Sequence, residues 1–269
     1  MDYKIIKEIG SGSFADVYLA CKNNKLFAVK KYKISKNGLH YQLLREINIL
    51  KRLYHKNIIQ IVEINYGSTE LSLTLEYIQE TLYEYTHKLS YPERLEKLNT
   101  ITLQLCTGCY YMHSLGIIHH DLKPQNILIN IGKKIELKIC DFGLADQVVP
   151  FYEINPSKGT YIYSAPELFL DEEVSYKADV WSIGCILYEF ILKKPLFNND
   201  KDYDIIQQIH DKLNVGGAVR DFPKLYNENQ RKYALKYNLD FFKEIINGML
   251  HVEPKSRIDL LYVIEKLKG

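Results

Sequence analysis

Long apolar runs are missing from this 269-residue chain, and none approaches the roughly 20 residues needed to cross a bilayer. Residues 1–10 mix charged and apolar side chains and lack the basic stretch before an apolar core that marks a secretory leader. Cysteine is scarce: five residues, an odd count without framework spacing, fit reduced thiols in a reducing compartment. Charge of one sign is scarce as well. The formal net charge is only +2 and lysines alternate with acids, so no basic block points to nucleic acid or an anionic membrane. Internal repeats and long low-complexity segments are absent. These absences disfavour membrane, secreted and nucleic-acid-binding readings. They lead to an expectation of an intracellular protein, cytoplasmic with the nucleus as a second compartment.

What is present is ordinary globular material, 46% hydrophobic and 25% charged, enough for one substantial core or two smaller ones that share an interface. Up to about residue 80 the chain carries short apolar runs: Ile5-Ile6, Val17-Tyr18-Leu19, Phe27-Ala28-Val29 and Leu71 to Leu75. Breaks at Gly, Asn-Asn and Gly-Ser-Thr make these antiparallel strands. One helix interrupts them over 41–53, where Leu43, Ile47 and Leu50 form an i, i+4, i+7 stripe. Beyond residue 81 the pattern becomes helical. A helix is predicted over 100–114, closed by Gly116, and another over 178–192, apolar nearly all round and therefore central to a domain. Cys106 and Cys109 form a Cys-x-x-Cys, but they fall within the helical apolar spacing of Leu98, Ile101, Leu105 and Met112. Core packing is their expected role. The fold class is α+β: a small β-rich lobe with one helix, residues 1–77 with its connecting hinge, and a larger mainly helical lobe over 78–269.

Most of the polar chemistry lies in 117–163. Asp121, Lys123 and Asn126 crowd into a short loop after Ile117-Ile118, and Pro124 disfavours helix there. Such a loop concentrates a base, a cation and an amide oxygen. Asp141 follows the strand predicted over 136–140 and precedes Gly143. Asn126 and Asp141 offer hard oxygen ligands, which suit Mg2+ better than zinc. Upstream, Gly10 and Gly12 sit between two strands, where glycine lets backbone turn closely over phosphates, although a plain hairpin would serve equally. Lys30 shares a strand face with small Ala28, a fit for a flat ring with a charged tail or for a solvated strand end. Glu46 lies on or beside the buried face of the 41–53 helix and needs a partner. Lys30 is the economical candidate, with a solvent-exposed edge glutamate as the alternative.

Together these motifs resemble the eukaryotic protein kinases over essentially all 269 residues. The resemblance implies a two-lobed protein kinase fold and transfer of the ATP γ-phosphate to Ser or Thr hydroxyls of protein substrates, with ATP and Mg2+ as cofactors. It implies that the loop Gly10 to Val17, with Gly10, Ser11, Gly12 and Val17, covers the phosphates, that Ile9 joins the cofactor site, that Lys30 contacts the phosphates and that Glu46 pairs with Lys30. Asp121 would orient or deprotonate the acceptor, Lys123 would steady the γ-phosphate, and Asn126 and Asp141 would hold the metal. Leu75, Glu76, Tyr77 and Ile78 look like the hinge that reads adenine. Val17, Ala28 and Leu128 would sandwich the ring, and Cys140 would line the site. Ala165, Pro166 and Glu167 resemble the end of an activation segment, with Arg257 the partner of Glu167 and Asp179 a structural support of the catalytic loop. Lys123 and Thr160 resemble the serine/threonine class.

The nearest group is the cyclin-dependent-like kinases, with departures. Ala15 replaces the third loop glycine, and Ser164 stands where that group carries arginine. The helix around Glu46 lacks the cyclin-binding signature, so neither proline-directed specificity nor cyclin dependence follows. His120 replaces the catalytic-loop arginine that would bind an activation-segment phosphate, and histidine is mostly neutral at pH 7. Tyr152, Ser157 and Thr160 are the remaining hydroxyls of that segment, with Pro156 near the usual phosphosite. The expected partners are a protein substrate and a regulatory subunit the residues do not identify, with no nucleic acid or membrane, on a monomer. The competing readings are a pseudokinase scaffold or nucleotide-binding allosteric module, and a kinase fold acting on small molecules.

Overall fold

The computed structural model describes residues 3–12, 15–32, 41–67, 71–147, 159–170, 173–198, 201–213, 218–220, 222 and 228–269. Strands β1 (Lys4–Ser11), β2 (Ala15–Lys22), β3 (Lys25–Tyr32), β4 (Ile61–Tyr66) and β5 (Leu71–Glu76) form one antiparallel sheet in the order β1-β2-β3-β5-β4. Asn23 and Asn24 turn β2 into β3 with φ of 51° and 59°. Asparagine tolerates this left-handed backbone, and the paired positive φ values match the twist of a two-residue hairpin. Register places Lys30 opposite Val17 on one side and Leu73 on the other, with Ala28 opposite Leu75.

Helix α1 (Tyr41–Leu50) packs buried Leu43, Ile49 and Leu50 against the core and against the turn at Phe142–Leu144, whereas Ile47 of the predicted stripe is only partly buried. It ends at Leu50, short of the predicted residue 53. Arg52 and Leu53 bond back only three residues, to Ile49 and Leu50, so the last turn tightens out of α geometry. β4 was not among the predicted strands. None of its residues is fully buried, and Val62 and Tyr66 are exposed, as suits an edge strand.

The second half opens with β6 (Glu80–Thr81) and α2 (Leu82–Lys88), capped by a reciprocal Thr81–Glu84 box. Helix α3 (Tyr91–Ser114) starts ahead of the predicted residue 100, because Ser90 N–H donates to the Glu93 carboxylate at 2.7 Å and a proline lies in the first turn. Gly116, with φ of 70°, closes it as expected. β7 (Ile117–Ile118), β8 (Ile127–Ile131), β9 (Ile135–Ile139) and β10 (Asp146–Gln147) form two small ladders, β10-β7 and β6-β8-β9. Helix α4 (Lys177–Leu192) is buried along almost its whole length, as its all-round apolar sequence predicts. Helix α5 (Asp202–Lys212) meets the turn at Tyr161–Tyr163, α6 (Glu228–Lys236) packs on α3, α7 (Leu239–Met249) packs on α4, and α8 (Leu260–Lys268) packs on α3. Cys106 and Cys109 are fully buried in the α3 core, and their thiols are free. Among the described residues no helix is long and apolar enough to cross a membrane.

Helix α3 meets β9 at Gly108, where a Cβ would lie 2.9 Å from Ile139 Cδ1 and 3.1 Å from Asn57 O. Gly108→Val is expected to lower stability by about 2 kcal/mol through overpacking. Gly132→Ala, which meets nothing closer than 3.9 Å, should leave the urea midpoint near wild type.

Candidate active site

β7 is a fully buried isoleucine pair that delivers the chain into the loop 119–126. The loop is held from below by Asp179, in the first turn of α4. One carboxylate oxygen accepts His113 Nε2 and the His119 N–H, both at 2.9 Å, and the other accepts the His120 N–H at 3.1 Å. Burial pushes the Asp179 carboxyl up, but the His113 bond and the surrounding imidazoles win and hold it below the usual carboxylate range. To give both N–H groups to one carboxylate the backbone turns sharply, and His120 takes φ of 65°. His119 then bridges two loops, its Nδ1 accepting the Asp121 N–H at 3.3 Å and its Nε2 lying 3.0 Å from Cys140 O. The tautomer that satisfies both contacts carries its proton on Nε2.

The carboxylate of Asp121 is held by donors on both oxygens. Oδ1 accepts the Thr160 N–H and hydroxyl, each at 2.9 Å, and Oδ2 accepts Lys123 Nζ at 2.8 Å and Asn126 Nδ2 at 3.0 Å. Lys123 also donates to Thr160 Oγ1 at 2.8 Å, so the two residues that mark the serine/threonine class by sequence touch each other. Gly159 makes this approach achievable, since a Cβ there would stand 2.4 Å from His120 O and 2.9 Å from Asp121 Oδ1.

Across the cleft, Lys30 Nζ contacts Glu46 at 2.7 and 3.0 Å and Asp141 Oδ1 at 3.0 Å. Glu46 is buried, which settles the two sequence alternatives in favour of the Lys30 partner. Burial works against the charge of Lys30, yet Glu46 and Asp141 raise its pKa well above the usual lysine range. For Asp141 the surrounding protein pushes upward, and Lys30 overrides it, leaving the pKa below the usual value. Its side chain is 47% exposed, open to the cleft. Asn126 uses its amide nitrogen on Asp121, leaving the amide oxygen as the atom not engaged in those bonds. A hard cation fits this pair of oxygens. Among the described residues no group of three His, Cys, Asp or Glu side chains is placed to hold a metal ion by itself.

These parts line one cavity of about 980 Å³ between the sheet and the helices. Ile9, Gly10, Ser11, Gly12, Val17, Ala28, Lys30 and Glu46 reach it from the sheet and α1. Leu75, Glu76, Tyr77 and Ile78 form its connecting edge. Asp121, Lys123, Asn126, Leu128, Cys140 and Asp141 reach it from the other lobe, so every predicted site residue meets there. The Glu76 carboxylate accepts the Gln60 N–H and Lys138 Nζ, each at 2.9 Å, which fixes the hinge. The Cys140 thiol donates to Asn126 O at 3.3 Å, and burial pushes its pKa far up, so it is a packing group in this state. Ser13, Phe14, Tyr152, Pro156 and Ser157 lie outside the described residues.

Residues the sequence reading missed are Tyr32 and the bonding role of Thr160. Tyr32 donates its hydroxyl to Glu46 Oε2 at 2.9 Å. The period-2 face of Ala28 and Lys30, extended one step, would have found it. Thr160 stands far along the chain from Asp121, and no local pattern links the two. Farther out, Glu167 and Arg257 form the expected pair, bidentate at 2.6 and 2.7 Å and fully buried.

A β-rich lobe and a helical lobe closing on a lysine–glutamate pair and a bonded aspartate define a two-lobed kinase architecture. The chain belongs to the protein kinase family, residues 3–266 matching the protein kinase domain. It is 34% identical over 263 residues to the serine/threonine-protein kinase TIO of Arabidopsis thaliana, covering 96% of this chain and 18% of that protein. It is 37% identical over 204 residues to the serine/threonine-protein kinase fused of Drosophila melanogaster, covering 72% and 24%. With cyclin-dependent kinase 1 of Encephalitozoon cuniculi it shares 30% over 276 residues, covering 95% and 92%. The chain thus spans under a third of the first two relatives and nearly all of the third.

The space at Gly159 yields a test. Gly159→Ala is expected to displace Asp121 and lower kcat by about 100-fold, the scale set by a misplacement of about 1 Å, while affinity for a fluorescent ATP analogue stays near wild type.

Proposed function

We propose that this chain is an active, ATP-dependent protein kinase domain that phosphorylates Ser or Thr hydroxyls of protein substrates. The observation that carries it is the meeting, in one cleft, of the Lys30–Glu46 pair, Asp141, and an Asp121 carboxylate bonded to Lys123, Asn126 and Thr160. Lys30 is the cation for the nucleotide phosphates. Asn126 and Asp141 are the oxygens for Mg2+, which supplies charge neutralisation on the phosphates when bound. Asp121 accepts the proton of the acceptor hydroxyl as the acceptor oxygen bonds to the γ-phosphorus. The bond from that phosphorus to the bridging oxygen breaks, and ADP leaves. Lys123 faces the position of the transferred group, where positioning and charge carry most of the catalysis. The presence of Lys30, Glu46, Asp121, Asn126 and Asp141 together argues against the pseudokinase reading.

Thr160 belongs to the same proposal, since its bonds to Asp121 and Lys123 place it beside the acceptor hydroxyl rather than at an exposed modification site. His120 supports independence from activation-segment phosphorylation. It is 5% exposed, both ring nitrogens lack partners among the described residues, and burial lowers its pKa against the pull of Asp179 and Asp146. A neutral imidazole does not serve as a phosphate clamp. The monomeric state, the regulatory subunit and the cytoplasmic and nuclear location belong to the proposal too.

Labelled γ-phosphate offered with mixed Ser, Thr and Tyr peptides should appear on Ser and Thr, and Asp141→Asn should abolish the transfer. Label that survives the substitution would trace to a contaminating kinase and remove the support. Separately, phosphatase treatment of the purified protein should leave turnover intact, and loss of turnover would overturn the independence from segment phosphorylation.

A further inference from the structure

The helix that carries Glu46 is tied to the other lobe by two side-chain contacts that avoid Lys30. Arg45 Nη1 lies 3.2 Å from Asp146 Oδ2, and Arg52, in the turn after α1, donates to Gln147 Oε1. Both acceptors belong to β10. That strand is laddered to β7, Asp146 opposite Ile118 and Gln147 opposite Ile117, and β7 runs directly into His119, His120 and Asp121. A hydrogen-bonded path therefore joins α1 to the loop that holds Asp121 without passing through the nucleotide cavity.

Consecutive residues of an α-helix project about 100° apart. A helix held at Arg45 therefore has the direction of Glu46 set with it. Rotation of α1 would withdraw Glu46 from Lys30, leaving a desolvated Glu46 carboxylate without its cation and Lys30 with Asp141 alone. Arg45 and Asp146 are 27% and 22% exposed, sheltered enough that salt does not erase their attraction. The other oxygen of Asp146 accepts the Gln147 N–H at 3.1 Å, which orients the carboxylate. His120 feels both charges, but burial keeps its imidazole neutral, whereas Arg45 is a permanent cation facing Asp146.

We propose that Arg45 and Asp146 form a built-in latch that holds α1, and with it the Glu46–Lys30 pair, in the phosphate-binding position without an added phosphate. The inference rests on the phosphotransfer reading, and it makes Arg45 and Asp146 positioning residues for that reaction.

The test compares wild type, Asp146→Asn, Arg45→Ala and the reversed pair Arg45→Asp with Asp146→Arg. Hydrogen–deuterium exchange over residues 41–50, steady-state phosphotransfer and thermal unfolding are read for each. Both single variants should speed exchange in α1 and lower kcat by about tenfold, with Tm moving by only about 2–4 °C. The reversed pair should bring exchange and kcat back toward wild type. Unchanged α1 exchange in Asp146→Asn, or a reversed pair no better than the single variants, overturns the latch. A wild-type protein without phosphotransfer overturns the functional reading alone, because the exchange comparison still decides the latch.

Discussion

The buried carboxylate of Asp179 is the constraint from which the rest of the site follows. It stands in the first turn of a helix whose other faces are apolar and buried, where an unpaired charge would cost several kcal/mol. The helix dipole favours it there, and His113 with the backbone N–H groups of His119 and His120 completes its bonds. Meeting that demand bends the chain at His120 through a left-handed conformation and directs Asp121 toward the cleft. Lys123, Asn126 and Thr160 then gather on Asp121, and His119 links the loop to Cys140, next to Asp141.

The cleft is shared between lobes in a similar way. Lys30 on β3 answers Glu46 on α1 and Asp141 in the opposite lobe, so a single cation closes a triangle of three elements. Removing one partner would leave the others as desolvated charges, on the order of 3–5 kcal/mol for a buried pair. The bidentate Glu167–Arg257 pair follows the same logic deeper in the helical lobe, with Arg257 also stacked over Trp181. These ion pairs define which elements lie together. The apolar core supplies most of the stabilisation.

Much of this was legible in the linear chain. The i, i+4 stripe placed α1, the all-round apolar run placed α4, and Gly116 marked the end of α3. Gly10, Gly12, Lys30, Glu46, Asp121, Asn126 and Asp141 carried the resemblance to protein kinases from which the chemistry was expected. Less legible were short elements whose stability is borrowed from neighbours. β7 and β10 are residue pairs that exist because they ladder to each other, and β4, at the edge of its sheet, pairs with β5 alone among the described residues. The start of α3 was hidden by weak apolar periodicity near Pro92, although the Ser90–Glu93 box announced it. The bonds of Thr160 had no local signal.

The sequence by itself determined which side-chain types are available and, through periodicities of 2 and 3.6 residues, which strands and helices would carry them. It did so because those patterns are set by backbone geometry and by the removal of neighbouring apolar groups from water, both local. Only the tertiary structure decided that Glu46 turns to Lys30 and not to solvent, that Thr160 caps Asp121, that His120 is buried, and that Arg45 meets Asp146. Those pairings join residues far apart in the chain. They depend on which charged and polar groups share the same poorly solvated volume once the two lobes have closed, a quantity that no local pattern encodes.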